Sequence, residues 1–300
     1  MRAMVSGATG FVGRHLLPRL EQANVLSRDA NQARRTLAAF SVNTFSWDPI
    51  IAEPPVEAFE DVDAVFHLAG DPVADGRWTA KKKQRIRDSR VLGTRHLVDA
   101  LRKLEHRPSV LVSASAVGWY GSRGDDVLDE SSPPAHDFLA ELCVAWEQEA
   151  RRAAEFGMRV VTIRTGVVLG SDGGALPKML PPFRFGLGGP LGNGRQWMPW
   201  IHVDDLAAMY LYAAKNAFLS GPMNGVSPNP VTNKEFTKTL AGVLHRPAIL
   251  PVPYFALRLA FGEFAQVLFD SQRVVPKAAQ AAGFPFKHPD LSDALKSILI

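Results

Sequence analysis

The chain of 300 residues has a single cysteine, Cys143, only four tyrosines, and no lysine between Lys103 and Lys178. One thiol makes neither an intrachain disulfide nor a cysteine zinc site, as expected in a reducing cytosol. Cys143 reads as a small buried hydrophobe on a helix. Long apolar runs are missing too. A membrane span needs ~18 uninterrupted apolar residues, and the best approach, Phe255 to Phe269, is broken by Arg258, Glu263 and Gln266. No crossing of a bilayer is expected. Strand-like residues begin at Arg2 with no charged and apolar leader before them, which predicts a cytoplasmic location.

Charge excess is small and local. The net charge is +4, yet Thr79 to Arg107 alone holds ten Lys/Arg against three acids, so the rest of the chain is net negative, at −3. A polyanion footprint would be a basic stripe with interleaved aromatic platforms, so this excess reads as one solvated helix face and no nucleic-acid partner is expected. What remains is ordinary globular usage, 46% hydrophobic and 21% charged, enough for a sizeable core.

Arg2 to Ser6 reads as a strand, and Phe11, Val12, His15, Leu16 and Leu20 recur at helical spacing. Pro18 conflicts with that helix. Short strands are predicted at Asn24 to Ser27 and Val42 to Phe45, a stronger one at Asp63 to Leu68, and a long helix from about Thr79 to Leu104. A strand at Val110 to Val112, a helix from about Asp137 to Phe156 and a strand at Arg159 to Ile163 continue the alternation, the pattern of a parallel sheet covered by helices on both faces. From Gly173 to Pro199 glycine and proline are too dense for regular elements, which predicts a mobile substrate loop or lobe. Asp204 is read as the cap of a helix to about Lys215, and the chain from Val231 as mostly helical with breaks at Pro251, Pro253 and Pro276.

Gly7-Ala-Thr9-Gly10-Phe11-Val12-Gly13 joins the first strand to the first helix. Glycines there permit a tight turn and close backbone approach to a dinucleotide pyrophosphate. About 20 residues on, where NAD readers place an acid for the ribose hydroxyls, stand Ser27 and Arg28, a hydroxyl and a guanidinium suited to a 2′-phosphate. NADP(H) is therefore expected over NAD(H), with Asp29 one residue later as the reason to check the strand register. His67-Leu68-Ala69-Gly70 ends a strand where the chain would pass beneath the adenine ribose, with His67 itself read as a packed residue.

Four segments, Ser6-Gly-Ala-Thr-Gly-Phe-Val-Gly13, His67-Leu-Ala-Gly70, Ser113-Ala-Ser-Ala-Val-Gly-Trp-Tyr-Gly121 and Trp200-Ile-His-Val-Asp-Asp205, resemble the extended short-chain dehydrogenase/reductases, which include nucleotide-sugar epimerases and dehydratases. Arg77-Trp-Thr79, Asp88-Ser-Arg90, Arg164-Thr-Gly-Val-Val-Leu-Gly170, Gly194-Arg-Gln-Trp197 and Ser271-Gln-Arg-Val274 are similar to an atypical, epimerase-like subfamily, some members of which carry a cell-division-inhibitor label. The resemblance runs nearly full length. It implies an α/β fold, a Rossmann-type doubly wound parallel sheet with a smaller, mostly helical C-terminal lobe, and NADP(H) between them. Residues 1–170 with 203–226 would form the Rossmann unit, and 171–202 with 227–300 the substrate loop and lobe.

The superfamily sets Tyr and Lys four residues apart on one helix, so that the lysine lowers the tyrosine pKa and the tyrosine exchanges a proton with substrate. This chain lacks the pair: four residues after Tyr120, Tyr210, Tyr212 and Tyr254 stand Gly124, Ala214, Asn216 and Arg258. Placing the helix after Pro133-Pro134 puts Phe138 and Leu142 at the two positions. A further departure is Arg90, where the superfamily has asparagine three residues before Gly93-Thr94. The spacing of Ile86, Arg90, Thr94, Leu97 and Leu101 sets Arg90 on an apolar face. A buried guanidinium needs an anion: a cofactor phosphate, a substrate carboxylate, or an internal carboxylate at Asp71 or Asp126.

By position, Ser115 and Tyr120 are the candidate catalytic hydroxyls, Val167 should lie by the nicotinamide, and Arg195, Trp197 and Trp200 should shape the substrate side. His202 reads as a structural hydrogen bonder, and no metal site is expected. Two functions fit: an NADP(H)-dependent oxidoreductase or epimerase-like enzyme acting on a small oxygenated substrate, or a non-catalytic NADP(H)-binding regulator that docks a protein partner. No membrane partner is expected, and a homodimer is compatible with either.

Overall fold

The computed structural model describes residues 1–300. β1 (Arg2–Ser6) leads through the glycine turn into α1 (Phe11–Leu16), β2 (Gln22–Ser27) into α2 (Ala30–Thr36), and β3 (Val42–Ser46) is followed by β4 (Ala64–His67). Next come α3 (Ala80–Lys103), β5 (Val110–Ala116), the short β6 (Val127–Leu128), α4 (Phe138–Arg151) and β7 (Arg159–Thr165). The chain continues through β8 (Val167–Leu169), α5 (Leu176–Arg184), β9 (Trp197–Met198), β10 (Trp200–His202), α6 (Val203–Lys215) and β11 (Gly221–Gly225). It ends with β12 (Val231–Thr232), α7 (Asn233–Val243), α8 (Tyr254–Phe261), β13 (Arg273–Val274), α9 (Lys277–Ala281) and α10 (Leu291–Leu299).

Seven strands form one parallel sheet in the order β11-β7-β5-β4-β1-β2-β3. Both faces are covered, so strand residues are apolar at consecutive positions instead of alternating with polar ones. Val5, Phe66, Val112 and Val161 point to the side of α1 and α6, where Leu16, Leu206, Met209 and Tyr210 complete one core. Their neighbours Met4, Val65, Leu111 and Val160 point the other way, against Leu97, Val98 and Leu101 of α3. Because every strand runs the same way, Ser6, Ser27, His67 and the end of β5 share one edge. The chain order reverses there between β1 and β4, the place where doubly wound sheets take their ligands.

Pro18 is accommodated without a bent helix: α1 stops at Leu16 and a 3-10 turn takes over at Leu17–Arg19. The glycine- and proline-dense segment is more regular than expected. Leu176, Leu180 and Phe183 recur at helical spacing and bury one face of α5 against Trp200, Phe236, Leu240 and Leu295, so packing overrides the propensity cost of Pro181 and Pro182. The cap of α6 also differs from expectation. His202 holds that position, its Nδ1 accepting from the Asp204 amide at 3.0 Å, while the Asp204 carboxylate lies 3.1 Å from Arg19. An imidazole nitrogen thus does what a carboxylate was expected to do.

Candidate active site

Gly7 has φ +74°, and a Cβ built on it would lie 2.8 Å from the backbone of Leu68; one on Gly13 would lie 2.6 Å from the carbonyl of Gly7. These positions accept no side chain. The Gly10 amide donates to the Gly7 carbonyl at 3.0 Å, closing a bare backbone cradle at the end of β1. Thr9, Phe11 and Val12 follow in the turn and first helical residues. Beneath it His67 is fully buried, its Nδ1 2.7 Å from Ser6 Oγ and its Nε2 2.9 Å from Thr94 Oγ1. Burial, and next the Arg90 charge, lower its pKa to about 3. His67 is a neutral strut.

β2 ends at Ser27, Arg28 is exposed, and the Asp29 carboxylate caps α2 by accepting from the Gln32 amide at 2.8 Å. The register is therefore settled, with Asp29 occupied and Arg28 making no ion pair. Leu68, Ala69 and Gly70 carry the chain from the buried end of β4 out to solvent.

Arg90 lies against Gly70: a Cβ on that glycine would come 2.9 Å from the guanidinium carbon. Its Nη1 donates to the carbonyls of Asp71 at 2.9 Å and Ile86 at 3.3 Å, and its plane lies over the Trp146 ring with 5.2 Å to the centroid. The internal salt bridge considered above is not formed, because the Asp71 carboxylate pairs with Lys82 at 2.6 Å and Arg85 at 3.1 Å. Burial lowers the Arg90 pKa to about 10, which leaves it charged at neutral pH and without a carboxylate partner.

Ser115 and Tyr120 belong to one buried network. Ser115 Oγ donates to Glu147 Oε1 at 2.7 Å, and Arg164 grips the same carboxylate at 2.8 and 3.0 Å. Arg164 also donates to the Tyr120 hydroxyl at 3.2 Å, and that hydroxyl donates to Asn224 Oδ1 at 2.7 Å. Burial pushes the Tyr120 pKa up to about 12, and its side chain has no exposed surface. This corrects the expectation for Tyr120, which is fixed below the surface as a structural hydrogen bonder. Phe138, at the position assigned to the superfamily's tyrosine, packs edge-on to Trp78 with ring centroids 5.4 Å apart, and Trp78 also meets Phe264. Leu142 is buried with Ile86 and Val91.

On the lobe side, Val167 pairs with Trp200 in a short parallel ladder between β8 and β10. Arg195 is exposed, and Trp197 donates to Asp125 at 2.7 Å beneath the Arg273 guanidinium. Trp200 is 1% exposed and its Nε1 donates to the Asn229 carbonyl, so it is core and not substrate wall. The tail motif is a tether. Gln272 Nε2 donates to the carbonyls of Val117 and Gly121, both at 3.1 Å, and Arg273–Val274 pairs with Val127–Leu128.

Two contacts had no signal in the sequence. One is the Glu147 to Arg164 pair, whose carboxylate looks like any helix-surface glutamate until α4 is docked on the sheet. The other is a clasp in which Asp172 takes Arg14 at 3.1 Å and His15 at 3.0 Å, while Phe11 fills a slot made by Gly170, Gly173 and Gly174. His202, Asp204 and His288 also converge, the two rings stacked 4.0 Å apart, but the Arg19 guanidinium already engages Asp204, and its charge opposes a bound cation.

Residues 3–224 match the NAD dependent epimerase/dehydratase family, and residues 252–298 match a domain of unknown function, DUF1731. The Arabidopsis thaliana chloroplastic homolog of epimerase family protein SDR39U1 is 44% identical over all of this chain and 87% of its own length. Epimerase family protein YfhF of Bacillus subtilis is 40% identical over all of this chain and 98% of its own length. The crystal structure of human SDR39U1 isoform 2 with NADPH superposes with a TM-score of 0.88 at 34% identity, covering 99% of both chains. With its seven-stranded parallel sheet, glycine cradle and missing Tyr/Lys pair, the chain belongs to the NAD-dependent epimerase/dehydratase family as an atypical extended short-chain dehydrogenase/reductase.

Proposed function

We propose that the protein binds NADP(H) at the carboxyl edge of the sheet and exchanges hydride with a small oxygenated substrate held between residues 1–170 with 203–226 and residues 171–202 with 227–300. The observation that carries this is the pairing of a side-chain-free cradle at Gly7 and Gly13 with two cations lacking carboxylate partners, Arg28 at the end of β2 and Arg90 against Gly70. Gly7, Thr9, Gly10, Phe11, Val12 and Gly13 would pass the pyrophosphate, with Ser27 and Arg28 at the 2′-phosphate. Leu68, Ala69 and Gly70 would lie under the ribose, with Arg90 at a phosphate and Val167 by the nicotinamide. A related human protein crystallised with NADPH supports this choice. When bound, the nicotinamide supplies or accepts the hydride.

Ser115 is the hydroxyl left to contact a substrate oxygen. Its proton is committed to Glu147, so it would accept from the substrate and hold it in place, while Tyr120 acts only through Arg164. Arg195 and Trp197 remain the candidates on the substrate side. Without a lysine-activated tyrosine, turnover with ordinary ketones should be slow, and an acidic or quinone-like acceptor should be preferred. The aromatic cluster of Phe138, Trp78 and Phe264 in place of the proton-transfer pair favours the second reading, a non-catalytic NADP(H)-binding regulator.

Fluorescence titration decides the cofactor. NADPH should bind more tightly than NADH, and Arg28→Asp should erase or reverse that order by placing repulsion at the 2′-phosphate. Equal affinities in the unaltered protein would overturn the NADP assignment. Failure of every hydride acceptor, together with a captured protein partner, would favour the regulator.

A further inference from the structure

The C-terminal lobe carries a face that the cofactor site does not use. Phe185 is 81% exposed, Leu187 61%, Ile249 79%, Leu250 61%, and Phe255 and Leu259 74% each. These side chains belong together. Residues 190–192 run beside Val252, with the Val252 amide on the Pro190 carbonyl at 2.8 Å and the Gly192 amide on the Val252 carbonyl at 2.9 Å, and the backbone of Gly189 abuts Leu250. α8 begins just beyond, at Tyr254, and contains no buried residue; Phe255 and Leu259 are one turn apart on it. Isolated surface hydrophobes are ordinary, whereas a contiguous set projecting this far marks a contact surface.

The stretches that build this face carry cations and no acid of their own; the carboxylates at its rim include Asp75, held by Lys178, and Asp270, held by Gln266. No acidic residue occurs from Gly173 to Val203 or from Phe236 to Gly262, and those stretches bring Arg184, Lys238, Arg246 and Arg258, all exposed and none paired with a carboxylate. Glu263, just past the second stretch, is held by Lys83. A second copy of the chain is a poor occupant, since a two-fold contact sets the patch against itself and brings these cations together. We propose that this face docks on an anionic phospholipid surface, its apolar side chains entering the acyl boundary and its arginines meeting headgroup phosphates. Apolar projections flanked by unpaired cations are the composition of interfacial membrane contacts. No helix is long and apolar enough to cross a membrane, so the contact is peripheral.

The test is co-sedimentation of the full chain with vesicles of phosphatidylcholine alone and of phosphatidylcholine mixed with phosphatidylglycerol. Binding is expected on the mixed vesicles, weakening as salt is raised. Phe255→Glu with Leu259→Glu should reduce it about tenfold or more, and Arg184→Gln, Arg246→Gln and Arg258→Gln about fivefold each, with melting temperatures unchanged because all five side chains are exposed. Absence from both pellets would overturn the proposal, as would equal binding to both vesicle types that the variants do not alter. So would a dimer, seen by light scattering, that the Phe255/Leu259 variant splits.

Discussion

Arg90 shows how one residue can be legible in its position and illegible in its purpose. Helical spacing set it on the inner face of α3, and the structure supplies carbonyls and a tryptophan ring for its guanidinium but no carboxylate for its charge. Arg90→Met keeps the stem and removes the charge, so the NADPH dissociation constant should rise roughly ten- to a hundredfold, about 1.5–3 kcal/mol, with the melting temperature held; fluorescence titration and calorimetry measure the two. His67 makes stability depend on pH. Below about pH 6.5 the unfolded chain protonates this histidine, while the folded chain keeps it neutral down to about pH 3. Protons therefore favour unfolding, and the stability present at pH 7 should fall by about 1.4 kcal/mol per pH unit below 6.5 on this account. Denaturant titrations at several pH values should show that slope, reduced in His67→Gln. Burial also lowers the pKa of His202, to about 4, adding a slope of the same sign.

Among the elements, six of the seven sheet strands were legible as short runs of apolar and β-branched residues between turn residues, while β11, Gly-Pro-Met-Asn-Gly, has no such run and was missed; the period of α3 was unambiguous over 24 residues. What escaped were features set by distant partners. α5 exists because the lobe core receives Leu176, Leu180 and Phe183, which local propensity could not reveal through three prolines. The clasp of Asp172 on Arg14 spans 158 positions and has no local signature. It joins the Gly7–Gly13 turn to the segment that follows Gly170, and Phe11 is its peg. A Cβ on Gly173 would lie 2.5 Å from the Phe11 ring. Gly173→Ala should accordingly cost about 1–3 kcal/mol of stability, as overpacking does, and should weaken NADPH binding by displacing Phe11. Phe11→Leu in the same chain should restore part of both, a rescue that unfolding and titration data would register. Glu147→Gln tests the deeper pair: it leaves Arg164 charged and buried without its partner, for an expected loss of about 3–5 kcal/mol by denaturant unfolding.

At the scale of the molecule, the family motifs gave the architecture, while the chemistry was legible only as an absence. The missing Tyr/Lys pair was plain in the sequence; that an aromatic cluster and a buried Ser115–Glu147–Arg164–Tyr120 network stand nearby was not, since such contacts depend on how α4 docks. Several bonds hold the lobe, among them Ser271 to Gly124, Lys277 to Asp129 and the two that Gln272 makes. Gln272→Ala removes the donor to two carbonyls in the Val117–Gly121 turn, and limited proteolysis should then cut between residues 262 and 276 faster than in the unaltered protein, with little change at the sheet.

The order of strands has a consequence for synthesis. β11 is the edge partner of β7, yet it follows the long excursion through β8, α5, β10 and α6. A nascent chain that has left the ribosome only as far as residue 200 therefore presents β7 as a bare strand edge. Trp200, Leu169 and Leu176 wait longer still, because Leu291 and Leu295 of the last helix close their core. Chains stalled or clipped a few residues early should be found with chaperones or in aggregates, however complete the rest of their parallel sheet.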